Sequence, residues 1–188
     1  SNFGMHRRDS EIAEHLAKTK EKFGFPEKFR TCYGKNTDEK ILQVGSFMHK
    51  HGLEKGITIS YQSMSKEVQK NIKRDNISSE KLVQLGPALK QEGLDTVCDV
   101  ILGLPGESYK THMQTVKDVL NANIDWINIW TLMLLDGSEL NTPKERKKWN
   151  LKSKYRIIPR DFVKLSNGKV VMEVEEAGIG TNSLSFDK

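Results

Sequence analysis

Four short stretches carry side chains whose chemistry a small polar molecule could use. Asp99 to Ser108, DVILGLPGES, is an apolar run that stops at a Gly-Pro-Gly bend bearing the carboxylate of Glu107. Gln62-Ser63 closes a second apolar run, Ile57 to Tyr61, with an amide and a hydroxyl, and the guanidinium of Arg74 follows about twelve positions later. Lys35-Asn36 follows the run Phe29 to Tyr33, and Asp136-Gly137-Ser138 follows Trp126 to Leu134. Amides, hydroxyls and charges gathered where strands end are binding chemistry, because α/β folds present ligands there. The plainer reading of Glu107 is that it opens the next helix, and loops are polar in any case.

Metal chemistry has little support in the spacing. The chain has two cysteines, Cys32 and Cys98, each inside an apolar strand pattern, so both read as small buried hydrophobes. No CxxC or CxxxCxxC spacing occurs. His49 and His51 are two apart on a predicted helix and point to different faces.

The elements that must position these groups follow from periodicity. A helix is expected from Asp9, as its cap, to Phe23, with Gly24 as its stop. Phe29 to Tyr33 reads as a strand, and Thr37 opens a helix with the stripe Ile41, Leu42, Val44, Phe47 and Met48. Ile57 to Tyr61 is the next strand, followed by a short helix capped by Ser65 and a second from Ser78 to Gly93 with Pro87 inside it. Thr96 to Leu102 is a strand whose continuous apolar run suggests cover on both faces. A helix from Ser108 to Ala122 then leads to the strand Trp126 to Leu134. Such βα alternation requires parallel strands joined by crossovers, and in a βα barrel the strand C-termini share one mouth.

After Pro143 the rhythm breaks. Residues 1–142 read as the α/β part, and 143–188 as a basic segment followed by a β-hairpin turning at Asn167-Gly168. The 188 residues carry a net charge of +5, with pI near 9.1 and mean hydropathy -0.58. No run reaches the roughly 20 apolar residues of a membrane span, and no secretory signal is visible, which implies the cytoplasm and no membrane partner. Lys147 and Lys148 beside Trp149 and Tyr155 would suit an RNA-binding surface. A solvated basic face is the simpler account.

Several of these stretches together resemble the core domain of radical S-adenosylmethionine enzymes, of the class often joined to a cobalamin-binding domain. The likeness rests on NFGMHRRDSEIAEHL, GKNTDEKIL, ITISYQSMSKEVQKNIKR, DVILGLPGES and the strand ending in LLDGSEL. It implies a partial βα barrel of the TIM-barrel kind, with S-adenosylmethionine at the strand ends. By position, Gln62 and Ser63 would lie beside the ribose and methionine, and Arg74 near the methionine carboxylate. Arg74 also reads as a surface charge at a helix end. Ile101, Gly103 and Leu104 would wall the adenine, with Glu107 closing that turn. Trp130 to Leu132 would offer backbone groups to the adenine edge, although Trp130 is equally an ordinary core residue. Lys35 would point into the cavity or stand exposed at a strand end.

The resemblance further implies a [4Fe-4S] cluster held by a CxxxCxxC loop, an external electron donor and, in the complete protein, cobalamin. This sequence has no such loop, so the cluster ligands are expected outside it and the 188 residues are expected to be inactive alone; a non-catalytic remnant that keeps a small-molecule pocket is the alternative. Asn2-Phe3-Gly4 resembles the segment after the family's second strand, which suggests a chain that starts beyond the cluster loop. Glu173, Glu175 and Glu176 either cover the barrel mouth or form a solvent face. No catalytic residue and no particular substrate can be assigned from the sequence.

Overall fold

The computed structural model describes residues 3–33, 39–54, 56–74 and 79–185. Its centre is a three-stranded parallel sheet in the order β1-β2-β3: β1 (Gly56–Gln62), β2 (Asp95–Leu102) and β3 (Trp126–Thr131). Helices α3 (Lys66–Asn71) and α4 (Ser79–Gln91) join β1 to β2, and α5 (Tyr109–Asn121) joins β2 to β3. Helices α1 (Arg7–Phe23) and α2 (Glu39–Lys50) precede the sheet. From β1 to β3 the predicted βα alternation therefore forms, because each turn signal is local and each crossover holds a helix.

The helix ends follow from their caps. Ser65 accepts a hydrogen bond from the Val68 N–H and starts α3, while Ser108 and Thr111 form a reciprocal capping box at α5. Helix α1 begins three residues earlier than expected. Its N-cap is His6, and the buried Asp9 carboxylate sits one turn in, accepting from the N–H groups of Gly4 (3.0 Å) and His6 (2.9 Å). Gly24 ends α1 in the left-handed conformation at φ 72°, where a side chain would be strained.

One face of the sheet holds the core. Ile57 and Tyr61 of β1 and Cys98 and Val100 of β2 are buried against Ile41, Leu89, Leu94, Val119 and Ala122. In β2 burial alternates: Thr96, Cys98 and Val100 are buried, while Val97, Asp99 and Ile101 on the opposite face are half-buried. The continuous apolar run thus corrects to a strand with one packed face and one open face, since successive side chains point oppositely whatever their hydrophobicity.

The expected strand Phe29 to Tyr33 does not form. Among the described residues its pairing is limited to an isolated parallel bridge between Phe3 and Tyr33, with the Phe3 N–H donating to the Cys32 carbonyl at 3.0 Å. Cys32 is accordingly exposed rather than buried, whereas Cys98 is buried as expected. Lys35 and Asn36 lie outside the described residues.

Beyond β3, a 3-10 turn at Glu139–Asn141 leads to α6 (Pro143–Trp149), then to β4 (Lys152–Lys164) and β5 (Val170–Gly180), which pair antiparallel as the predicted hairpin. The hairpin docks on residues following β3. Leu134 N–H donates to the Glu176 carbonyl and Gly178 N–H to the Leu132 carbonyl, both at 2.8 Å. Arg146 of α6 donates to Asn141 Oδ1 (2.8 Å) and Glu176 Oε2 (2.5 Å), so α6 and the hairpin are tied together at the strand ends.

Candidate functional site

A cleft of about 460 Å³ opens at the C-terminal ends of the parallel strands. That volume lies within the roughly 300–1,000 Å³ of ordinary small-molecule sites. Gln62 ends β1, Ile101 sits near the end of β2, Leu104 follows in the GLPGE turn, and Leu132 follows β3. Ile72 and Leu140 extend the apolar wall, while Asn71, Lys73, Glu139 and three residues of α6 provide a polar rim. Behind the wall, Leu104, Leu132 and Leu134 pack on Val68 in a separate small core. The wall is therefore anchored from below.

Gln62 is reached by an irregularity. The register of β1 on β2 shifts between Ser60 and Gln62, and Gln62 takes φ 59°. A non-glycine residue in that region is uncommon and marks a local constraint at the strand end.

Four of the residues singled out from the sequence thus meet in one cleft: Gln62, Ile101, Leu104 and Leu132. Others serve the scaffold beneath it. Ser63 is fully buried; its Oγ accepts from Ser65 N–H (3.3 Å) and its carbonyl from Gln69 Nε2 (2.9 Å). Arg74 donates to the Ser60 carbonyl, and its burial lowers the guanidinium's affinity for a proton. Trp130 stands on the open sheet face, 53% exposed, its Nε1 donating to Asp99 Oδ1 at 3.0 Å.

Glu107 is not on the rim. The strand delivers the turn there, but the carboxylate folds back and is 0% exposed. Its Oε2 accepts from Gly103 N–H (2.7 Å) and Leu104 N–H (3.4 Å), and its Oε1 lies 3.1 Å from His112 Nδ1. Asn71 Nδ2 holds the same turn by donating to the Pro105 carbonyl at 3.1 Å. Gly103 (φ 92°) and Gly106 (φ 81°) permit the reversal. Glu107 therefore organises the loop that presents Leu104.

The hairpin glutamates are partly committed inside the chain. Glu176 takes Arg146 and Ser153, and Glu175 takes Arg156. Lys148 pairs with Glu145 (3.5 Å) and lies 4.5 Å from the Trp149 ring centroid. Arg146, Lys148 and Arg156 of the basic segment are thus paired within the chain, and no finding favours nucleic-acid binding.

Fold and cleft together define an α/β protein with a parallel sheet and a cleft at the C-terminal ends of its strands. Over 96% of its length the chain superimposes on the radical S-adenosylmethionine methyltransferase TsrM of Kitasatospora setae, with a TM-score of 0.59, 14% identity and 39% of that protein covered. The Escherichia coli radical enzyme coproporphyrinogen III oxidase (HemN) matches over 73% of the chain and 34% of its own, with a TM-score of 0.56 and 21% identity. These likenesses concern the fold. In sequence, the chain is 30% identical over 154 residues to the cobalamin-dependent radical SAM methyltransferase TokK of Streptomyces tokunonensis, covering 81% of this chain and 23% of that protein. It is 29% identical over 191 residues to the 2-(S-pantetheinyl)-carbapenam-3-carboxylate methyltransferase of Streptantibioticus cattleyicolor, covering 28% of it. No family model matches. The chain is thus similar in sequence to cobalamin-dependent radical S-adenosylmethionine methyltransferases and in fold to radical S-adenosylmethionine enzymes. It spans about a quarter of the length of those two curated relatives.

Of that family's groups, S-adenosylmethionine suits the cleft: an apolar wall for a nucleobase beside amides and charges for ribose and amino-acid groups. An iron-sulfur cluster does not suit the residues present. Cys98 is enclosed in the main core, where loss of solvent pushes its thiol up to about 12, and Cys32 is exposed elsewhere. Near neutral pH, well below that value, Cys98 stays a protonated and shielded thiol. A thiol reagent is therefore expected to label Cys32 alone in the native chain and both cysteines after unfolding. Equal labelling rates in the native state would contradict the packing described.

Proposed function

We propose that the complete protein is a radical S-adenosylmethionine methyltransferase acting on a small molecule, and that this chain supplies one wall of its S-adenosylmethionine site. The observation that carries this reading is the convergence of Gln62, Ile101, Leu104 and Leu132 on a single cleft at the strand ends. The adenine packs on Ile101, Leu104 and Leu132, which also exclude water. The Gln62 amide hydrogen-bonds the ribose. The amino-acid end faces the polar rim, where Lys73 pairs with Glu139 at 2.5 Å and Arg74 adjoins it in sequence. When bound, S-adenosylmethionine supplies a 5′-deoxyadenosyl radical on reductive cleavage, or its methyl group.

The reductive step requires cluster ligands and an electron donor outside these 188 residues, so no step of it is assigned here. Cobalamin dependence and methyl transfer are carried over from the names of the two sequence relatives, and no residue of this chain is assigned to cobalamin.

Calorimetric titration of the chain with S-adenosylmethionine tests the reading. Saturable binding is expected, weakened about tenfold in an Ile101→Ala, Gln62→Ala double variant through lost apolar contact and one lost hydrogen bond. Equal affinity in parent and variant would place the ligand elsewhere.

A further inference from the structure

We propose that the open face of the sheet, below the cleft, binds a zwitterionic small molecule with a planar or apolar body, its carboxylate at Arg30 and its ammonium at Asp99. This deepens the proposed function, on which it rests for treating that face as the substrate side of the barrel interior.

Arg30, Thr58, Asp99, Trp126, Asn128 and Trp130 line an open cavity of about 480 Å³. The sheet register places them side by side: Ser60, Asp99 and Asn128 are direct partners across β1, β2 and β3, and Ile101 partners Trp130. Residues two apart on a strand share a face, so Trp126, Asn128 and Trp130 stand in a row beside Val97, Asp99 and Ile101.

Asp99 is a charged group in the middle of a strand, and its partners are all neutral. Oδ1 accepts from Asn128 Nδ2 and Trp130 Nε1, both at 3.0 Å. Oδ2 has one long contact, the Ser60 hydroxyl at 3.5 Å. A carboxylate accepts about four hydrogen bonds, so Oδ1 is filled and Oδ2 retains capacity. Its neighbours fix its orientation without cancelling its charge. Arg30, on the same cavity, is exposed and forms no ion pair among the described residues.

Two opposite charges therefore border one cavity without pairing with each other. A ligand that carries both charges gains at each end, whereas one carrying a single charge meets repulsion from the like charge opposite. Trp126 and Trp130 are 65% and 53% exposed, leaving indole surface for the ligand body. The Trp130 ring is already held by Asp99, so little conformational freedom is lost there on binding.

The test follows the three indole N–H resonances of the chain during titration with phenylalanine, phenylalaninamide and N-acetylphenylalanine, which carry both charges, the cation alone and the anion alone. Phenylalanine is expected to shift the Trp126 and Trp130 signals saturably, leave Trp149 unmoved, and bind at least about tenfold tighter than either analogue. Asp99→Asn, which keeps an acceptor for Asn128 and Trp130, should abolish the preference over N-acetylphenylalanine. Arg30→Gln should abolish the preference over phenylalaninamide. Equal affinities for the three probes, or no saturable shift in a chain whose circular dichroism shows it folded, would overturn the proposal. So would complete blockage by saturating S-adenosylhomocysteine, because the site would then be the cofactor's own. Phenylalanine binding in a chain that binds neither S-adenosylmethionine nor S-adenosylhomocysteine would instead count against the cofactor reading and leave this one standing.

Discussion

Replacing Glu107 with alanine is expected to cost at least about 3 kcal/mol of folding stability, because it orphans three buried hydrogen-bonding groups at about 1–3 kcal/mol each. The carboxylate is 0% exposed and serves three donors: the N–H groups of Gly103 and Leu104, and the ring of the nearly buried His112. Alanine leaves these groups without an acceptor where water is excluded, and each buried orphan costs about 1–3 kcal/mol. Domains are stable by only about 5–15 kcal/mol, so the loss is a large part of the whole. Glu107→Gln keeps one carbonyl oxygen for Gly103 and should cost less than half as much. Urea denaturation of the three proteins measures both differences. A loss below about 1 kcal/mol for the alanine variant would mean that the GLPGE turn does not depend on its carboxylate. The effect reaches the cleft as well, because the same turn carries Leu104.

The second large effect concerns Gly86, inside α4. Intrinsic propensity alone says that alanine there should stabilise the helix by about 1 kcal/mol. Packing reverses the sign. A Cβ at Gly86 would lie 2.2 Å from the Ala122 carbonyl oxygen, and Gly86 is buried where α4 meets the turn after α5. The obstacle is backbone, which cannot rotate aside, so α4 must shift against the main core to which Leu89, Val119 and Ala122 belong. We expect Gly86→Ala to lose up to about 2 kcal/mol net, since overpacking typically costs about 1–3 kcal/mol against the roughly 1 kcal/mol gained in helix propensity. Thermal denaturation should show a clear fall in Tm for Gly86→Ala. A rise would show that α4 does not approach Ala122 as described. The exposed Ala88→Gly provides the propensity control, with a loss of at most about 1 kcal/mol.

Part of the candidate site was legible because its signals are local. Gln62 and Leu104 stand where apolar runs stop, and strand ends in an α/β fold converge whatever the details of packing, whereas Ile101 and Leu132 were indicated by the family resemblance. The polar floor of the open sheet face was missed. A signal existed: Trp126, Asn128 and Trp130 alternate with Ile127 and Ile129, a period of two that marks one face. Asp99 was hidden within an apolar stretch, and its meaning depends on Ser60 and Asn128, which are 39 and 29 residues away.

The sequence by itself determined the βα alternation, the serine caps at Ser65 and Ser108, the stop at Gly24 and the hairpin turn at Asn167-Gly168. Each depends on a few neighbouring residues and on backbone chemistry that acts over one turn. Tertiary structure decided which face of β2 is packed, that Glu107 folds beneath its own turn, that Phe29 to Tyr33 lacks a continuous ladder, and that the hairpin docks on Leu132 and Leu134. These outcomes turn on partners distant in sequence. A buried carboxylate goes where unsatisfied donors are, and a strand forms only where another offers its edge.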